Sequence, residues 1–252
     1  MNFRGNAPLL VTGGSGMLGS EIAAISTRPI LAPSRQEMDI CDIKSIESYM
    51  SSHSFSGVIH CGALARMGLC EADPMSALDT NLLGTGFLVR ALMNYERIHK
   101  SAVRLVHVST DGVYPSSRGN YKETDETIPY NSYGWTKLGA ECAVNLLKDF
   151  CIVRTRFFDP EIIPFDDAAT DIFTSSLPLS ECAQALLRIF DMEFVGTLNL
   201  GAGRESDFEK YRKFKPMIRS TSYENISKDL PFRLGKDASL DCLQWEKLSA
   251  KN

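Results

Sequence analysis

The sequence predicts an α/β fold, a doubly wound parallel sheet with helices on both faces and a small C-terminal substrate-facing lobe. Three observations lead there. Short apolar runs alternate with stretches of helical periodicity from Pro8 to Arg154, and parallel strands need such crossover helices. A glycine-rich turn separates the first apolar run from the first helical stretch. Beyond Phe157 the alternation loosens.

Taken in order, Pro8-Leu9-Leu10-Val11 reads as a buried strand, and after the glycine turn Ile22 and Ile25 fall at helical spacing. Ile30-Leu31-Ala32 gives a second strand, and Asp42 caps a helix carrying Ile43, Ile46 and Tyr49. Val58-Ile59-His60 is a third strand, ending at Gly62. Asp73-Pro74 opens a long helix whose apolar positions are Leu78, Leu82, Val89, Leu92 and Met93. Arg104 to Ser109 is again a buried strand. A loop rich in Gly, Asn and Pro spans Pro115 to Asn131, then a helix is expected from Tyr133 to Lys148 and a strand from Cys151 to Arg154. Past Phe157 come an amphipathic helix, Ser180 to Phe190, and a strand, Thr197 to Leu200. The chain is therefore read as a dinucleotide-binding part, 1–157, with the lobe, 158–252, packed on it as one structural domain.

With 44% hydrophobic residues in 252, the chain buries one substantial core. A formal charge of -4 without a Lys/Arg block disfavours nucleic acid and anionic membranes and favours small soluble partners. No apolar run reaches bilayer length, and Met1 to Ala7 holds Arg4 and Gly5 but no leader-like run, so a cytoplasmic location is expected. The seven cysteines form an odd set without Cys-x-x-Cys spacing, which supports neither a disulfide framework nor a metal site.

Gly13, Gly16 and Gly19 form Gly-x-x-Gly-x-x-Gly, and Gly14, Gly16 and Gly19 satisfy Gly-x-Gly-x-x-Gly. Between a strand and a helix such a turn lets backbone approach a pyrophosphate at the positive end of the helix. Gly13, Ser15, Gly16, Met17, Leu18 and Gly19 are thus the expected phosphate contacts. The end of the second strand carries Ser34-Arg35 in place of the acidic residue that holds an NAD ribose. A guanidinium there pairs with a 2′-phosphate, which favours NADP(H) over NAD(H); the bland alternative is a solvated surface arginine. Asp39, followed by Ile40, reads equally as an adenine contact or as a turn residue.

Tyr133 and Lys137 stand four residues apart, on one face of a helix. A nearby cation lowers a phenol's pKa and lets it exchange a proton with a carbonyl or alcohol oxygen. Ser109-Thr110-Asp111 ends the preceding strand, where a hydroxyl is needed beside the same oxygen.

Together, Thr-Gly-Gly-Ser-Gly-Met-Leu-Gly (12–19), Ser-Thr-Asp-Gly-Val-Tyr (109–114) and Tyr-Gly-Trp-Thr-Lys-Leu-Gly-Ala-Glu (133–141) resemble the extended short-chain dehydrogenase/reductases, most of all the dTDP-4-dehydrorhamnose reductase branch, over residues 8 to 160. The resemblance implies a Rossmann fold, catalysis by Thr110, Tyr133 and Lys137 with Asp111 beside them, and hydride transfer from NADPH to a keto-deoxysugar nucleotide. It also implies that Cys61-Gly62-Ala63 lines the cofactor, that Asn81 is the family's recurring helix asparagine, and that the chain is a homodimer. Two departures matter. Related dehydratases carry Asp-Glu after the threonine, and here Asp111-Gly112 lacks the base; the rhamnose-pathway reductases often carry tyrosine where Gly112 stands. In the lobe, Phe165-Asp166-Asp167, Thr174-Ser175 and Arg233 to Asp241 resemble the family weakly, and Arg233 reads as a phosphate contact or, more simply, a structural ion pair. Two alternatives to a reductase are a C4 epimerase, against which Arg35 argues, and a non-catalytic NADP-binding regulatory subunit.

Overall fold

The structure, a computed structural model, describes residues 7–250, so the N-terminal stretch read for a leader lies outside it up to Asn6. The elements run β1 (Leu9–Thr12), α1 (Met17–Ile25), β2 (Ile30–Leu31), α2 (Ile43–Ser52), β3 (Gly57–His60), α3 (Met67–Ala72) and α4 (Pro74–Ala77). A π-helical turn (Leu78–Leu83) leads without a break into α5 (Gly84–His99), then β4 (Arg104–Thr110), a 3-10 turn (Asp111–Val113), α6 (Ser132–Val144) and β5 (Phe150–Thr155). Beyond lie β6 (Phe157–Phe158), β7 (Asp167–Ala169), β8 (Phe173–Thr174), β9 (Leu177–Pro178), α7 (Leu179–Asp191) and β10 (Gly196–Leu200). The chain finishes with β11 (Glu205–Ser206), α8 (Asp207–Tyr211), β12 (Arg219–Thr221), α9 (Tyr223–Ser227) and α10 (Leu243–Ser249).

Six strands form one parallel sheet in the order β10-β5-β4-β3-β1-β2, the doubly wound α/β arrangement expected from the alternation. Because side chains alternate across a strand, each buried run feeds two layers. Leu9, Val11, Ile59, Val106, Val153 and Leu198 meet Ile22 of α1 and Leu186, Ile189 and Phe190 of α7 on one face. Leu10, Val58, Leu105 and Ile152 meet Ile46 of α2, Leu88 and Leu92 of α5 and Val144 of α6 on the other. Burying a side chain such as Leu92 fully is worth about 1.5–3 kcal/mol before entropy is charged.

Local chemistry sets the boundaries. Asp42 caps α2 by accepting from Lys44 N at 2.9 Å, as its position suggested. The helix after Asp73-Pro74 is long, yet its stripe is offset: Leu78 and Met93, expected in the core, are 42% and 46% exposed. Leu78 opens the π turn, and Met93, one position past the buried Leu92 on α5, is turned off the apolar face. α3 was not foreseen. α6 stops at Val144 rather than Lys148, because Asn145 turns its amide back onto Glu141 O at 2.8 Å and the chain tightens.

The segment 158–252 divides between two roles. α7 and β10 complete the central sheet and one of its covering layers, and Trp245 and Leu248 of α10 pack against that layer. The remainder builds three two-stranded ladders, β6–β9, β7–β12 and β8–β11. Among the described residues no helix is long and apolar enough to cross a membrane.

Candidate active site

In a parallel sheet all strand ends of one kind share an edge, so the turn after β1 and the threonine ending β4 open on the same side. Gly13 sits at φ +70°, and a Cβ there would lie 2.7 Å from Gly62 N. Only glycine lets this turn rest on the chain at Cys61-Gly62. Ile40 closes the same corner, its Cδ1 at 3.1 Å from where a Gly62 Cβ would stand. Ser15, Gly16 and Met17 are exposed, while Leu18 and Gly19 are buried against the core. Gly16 caps α1 without a side-chain hydrogen bond and no acid lies in the first turn, so the helix amides are free for an anion.

Arg35 is exposed and reaches back to Asp39, Nε to Oδ2 at 3.1 Å. Asp39 also accepts from Cys41 N at 2.9 Å, and that bond, with Arg35, holds its carboxyl below the usual range against burial. Asp39 thus holds the turn that leads into α2. Asn81, in the π turn, accepts from Leu64 N at 2.7 Å and donates to Leu64 O and to Thr136 Oγ1 of α6. It thereby ties the Cys61–Leu64 stretch to α6.

α6 itself is seated by its N-terminus. Asn131 accepts from Gly134 N, and Glu71 of α3 accepts from Ser132 N and Oγ. A Cβ on Gly134 would come within 2.3 Å of Gly112 O, so helix and 3-10 turn meet backbone to backbone. That contact sets the half-buried Tyr133 beside the turn that carries Thr110, close enough for the Thr110 hydroxyl to favour the charged phenol. Thr110 Oγ1 also accepts from Gly112 N at 3.0 Å and donates to Asp111 Oδ1 at 3.1 Å.

Tyr133 and Lys137 stand one helical turn apart on α6. Burial pushes the phenol well above its ordinary range and Asp111 adds to this, while Arg156 and the Thr110 hydrogen bond pull it back. The Arg156 guanidinium that opposes the rise is itself bonded to Asp111. Lys137 instead turns into the sheet, donating to Val108 O at 2.8 Å with His107 Nε2 at 3.2 Å. Burial brings its pKa down to about 8, against the opposing pull of Glu141 and Cys61.

Asp111 is buried and clamped by Arg156, Nε to Oδ2 at 2.7 Å and Nη2 to Oδ1 at 3.1 Å. Arg156 was missed. Its signal was faint: two arginines two residues apart where a buried strand ends, which puts both on the same face. The other, Arg154, joins Glu141 (2.7 Å) and Tyr114 OH (2.7 Å), and Glu141 also accepts from Ser109 Oγ at 2.5 Å. Arg154 is held above its ordinary pKa by Glu141 although burial opposes it.

Of the lobe residues singled out, Phe165, Asp166 and Asp167 line a cavity of about 340 Å³ together with Ala169, Asp207, Tyr211 and Leu234. Thr174 and Ser175 are buried: Thr174 Oγ1 takes a hydrogen bond from Lys210 at 2.8 Å, and Ser175 Oγ takes one from Leu240 N at 3.0 Å. Arg233 is exposed.

A family model described as the RmlD substrate binding domain matches residues 7–158. A dTDP-4-keto-6-deoxy-D-glucose reductase of Streptomyces niveus is 39% identical over 152 residues, covering 58% of this chain and 51% of that protein. A dTDP-4-dehydrorhamnose reductase of Streptomyces griseus is 35% identical over 152 residues, covering 58% and 48%. The chain thus spans about half the length of the curated relatives it matches. The crystal structure of dTDP-4-dehydrorhamnose reductase from Bacillus anthracis in complex with NADP superposes with a TM-score of 0.82 at 18% identity, over 96% of this chain and 91% of that one.

Proposed function

The chain belongs to the RmlD substrate binding domain family, and from that premise we propose that it is a cytoplasmic, NADPH-dependent reductase of a nucleotide-activated keto-deoxysugar. The observation that carries the reading is the Thr110–Tyr133 pair at the edge where the glycine turn also opens, with Lys137 one helical turn on. NADPH, when bound along Gly13–Gly19 with its 2′-phosphate on Arg35 and its nicotinamide end beside Cys61–Ala63, supplies the hydride for the carbonyl carbon.

The chain's own residues handle the oxygen. A phenol held above its ordinary range stays protonated at neutral pH, the state a reductase needs, and Tyr133 gives that proton to the developing alkoxide. Thr110 donates its hydroxyl hydrogen to the same oxygen; Arg156 keeps Asp111 paired when that hydroxyl leaves it. Asp111 is then a positioning group, and without an acid at position 112 it has no partner for dehydration. Lys137, with two of its three donors directed to Val108 O and His107, keeps one for the nicotinamide ribose. The apolar and aromatic cavity of the lobe would take the nucleoside, and the proposal includes a homodimer and the 158–252 lobe as the substrate-facing part.

The test is titration with NADPH and NADH, followed by nicotinamide absorbance on adding 4-keto-6-deoxy sugar nucleotides. Tighter binding of NADPH and its oxidation by one of the panel are expected. Binding without oxidation, or tight retention of NAD through purification, would overturn the reductase in favour of a regulatory subunit or an epimerase.

A further inference from the structure

Beneath the lysine lies a buried pair of histidines that the catalytic reading leaves unused. His60 and His107 face each other in register on β3 and β4, their rings 5.2 Å apart, at 1% and 0% exposure. Hydrogen-bond counting fixes His60 first. Thr85 Oγ1 has one hydrogen and gives it to Asn81 O at 2.7 Å, so toward His60 Nε2 at 2.9 Å it can only accept. His60 therefore carries its proton on Nε2, and its Nδ1 accepts from Thr12 Oγ1, which in turn accepts from Gly62 N at 3.3 Å. A neutral imidazole with both nitrogens engaged results.

His107 differs. Its Nε2 faces Lys137 Nζ at 3.2 Å, and its buried Nδ1 has no hydrogen-bond partner among the described residues. An ammonium can only donate, so Nε2 must be bare and the proton must sit on Nδ1. An unpaired buried donor is costly, and here the cost falls on the arrangement that gives Lys137 a second acceptor. We propose that His107 is a positioning residue whose neutral imidazole accepts at Nε2 from Lys137 and, with the Val108 carbonyl, fixes the ammonium at the carboxyl end of β4.

This inference rests on the reading of Lys137 as the catalytic lysine, but not on any turnover. The groups facing Lys137 are Glu141 on its own helix, Cys61 after β3, and His60 and His107 on the strands. Of these only His107 changes in the test. Burial and the neighbouring ammonium hold both imidazoles far below their ordinary range, so neither takes up a proton near neutral pH.

The experiment is NMR of the full chain without cofactor, reading the Lys137 ammonium by titration, assigned with Lys137→Arg, and the His107 ring nitrogens by their shifts. The wild-type ring is expected with Nε2 unprotonated. His107→Leu, which keeps volume but no acceptor, is expected to bring the Lys137 midpoint down by roughly one pH unit, and His107→Asn, which restores an acceptor, to recover most of it. A purely packing role predicts the reverse order, leucine being the better filler. A protonated Nε2 in the wild type, which needs no variant to fold, or equal midpoints in the two variants, would overturn the proposal. Failure to oxidise NADPH with any sugar would sink the proposed reaction and leave this result standing.

Discussion

The glycine-turn side of the sheet and the C-terminal lobe are held by different kinds of contact. On the glycine-turn side, position is set by backbone: Gly13 resting on Gly62, an uncapped α1, and strands buried on both faces. On the lobe side, position is set by side chains far apart in sequence. Arg204 pairs with Asp237, Lys210 with Thr174 and Ser176, and Asn199 with Tyr121 O and Asp241 O. Backbone constraints repeat with the period of a strand or a helix. Long-range polar pairs leave no period, and their partners are fixed only once the chain is folded.

The two sides meet in the network of Ser109, Glu141, Arg154, Tyr114 and Asn199. Arg154→Met leaves the Glu141 carboxylate buried without its cation and is expected to cost about 3–5 kcal/mol in denaturant unfolding. A cost below about 1 kcal/mol would mean the two sides do not depend on this junction. Lys137 comes next. Folding lowers its pKa to about 8 from an ordinary 10.5, so between those values the unfolded chain binds the extra proton and stability rises with pH. The rise is at most about 3 kcal/mol, complete above the unfolded value, and absent below the folded one. Lys137→Met should flatten that part of the stability profile; an unchanged slope would remove the buried-ammonium account.

On the glycine-turn side, Gly13→Ala forces a side chain into the left-handed region against Gly62 and should cost about 1–3 kcal/mol, with loss of the proposed NADPH binding. Wild-type binding by that variant would break the claim that backbone sets this side. The smallest effect belongs to the lobe's rim. Arg219 pairs with Asp167 in the open, so Arg219→Ala should leave the unfolding midpoint where it is. A clear drop there would show the β7–β12 ladder leaning on its surface charges.

Legibility in the sequence follows the same division. The sheet, the glycine turn, the Asp42 cap, Thr110 at the end of β4 and Tyr133 with Lys137 on one helix could all be read, because each is a local pattern. The exposure of Leu78 could not, since a π turn leaves no mark in apolar spacing. Nor could Arg156, which matters through Asp111, 45 residues away. The lysine's acceptors could not be read either: Val108 and His107 reach it from a neighbouring strand, whereas helix spacing shows only Tyr133 and Glu141.

The central claim is that Tyr133 is the proton donor of a reductase, and the most direct test compares Tyr133→Phe with the wild type on a keto-sugar nucleotide the wild type reduces. NADPH affinity should be retained, and turnover should fall by roughly 10²- to 10⁴-fold because only the transferable proton is gone. Turnover within a few fold of wild type would contradict the assignment and return the oxygen chemistry to another group.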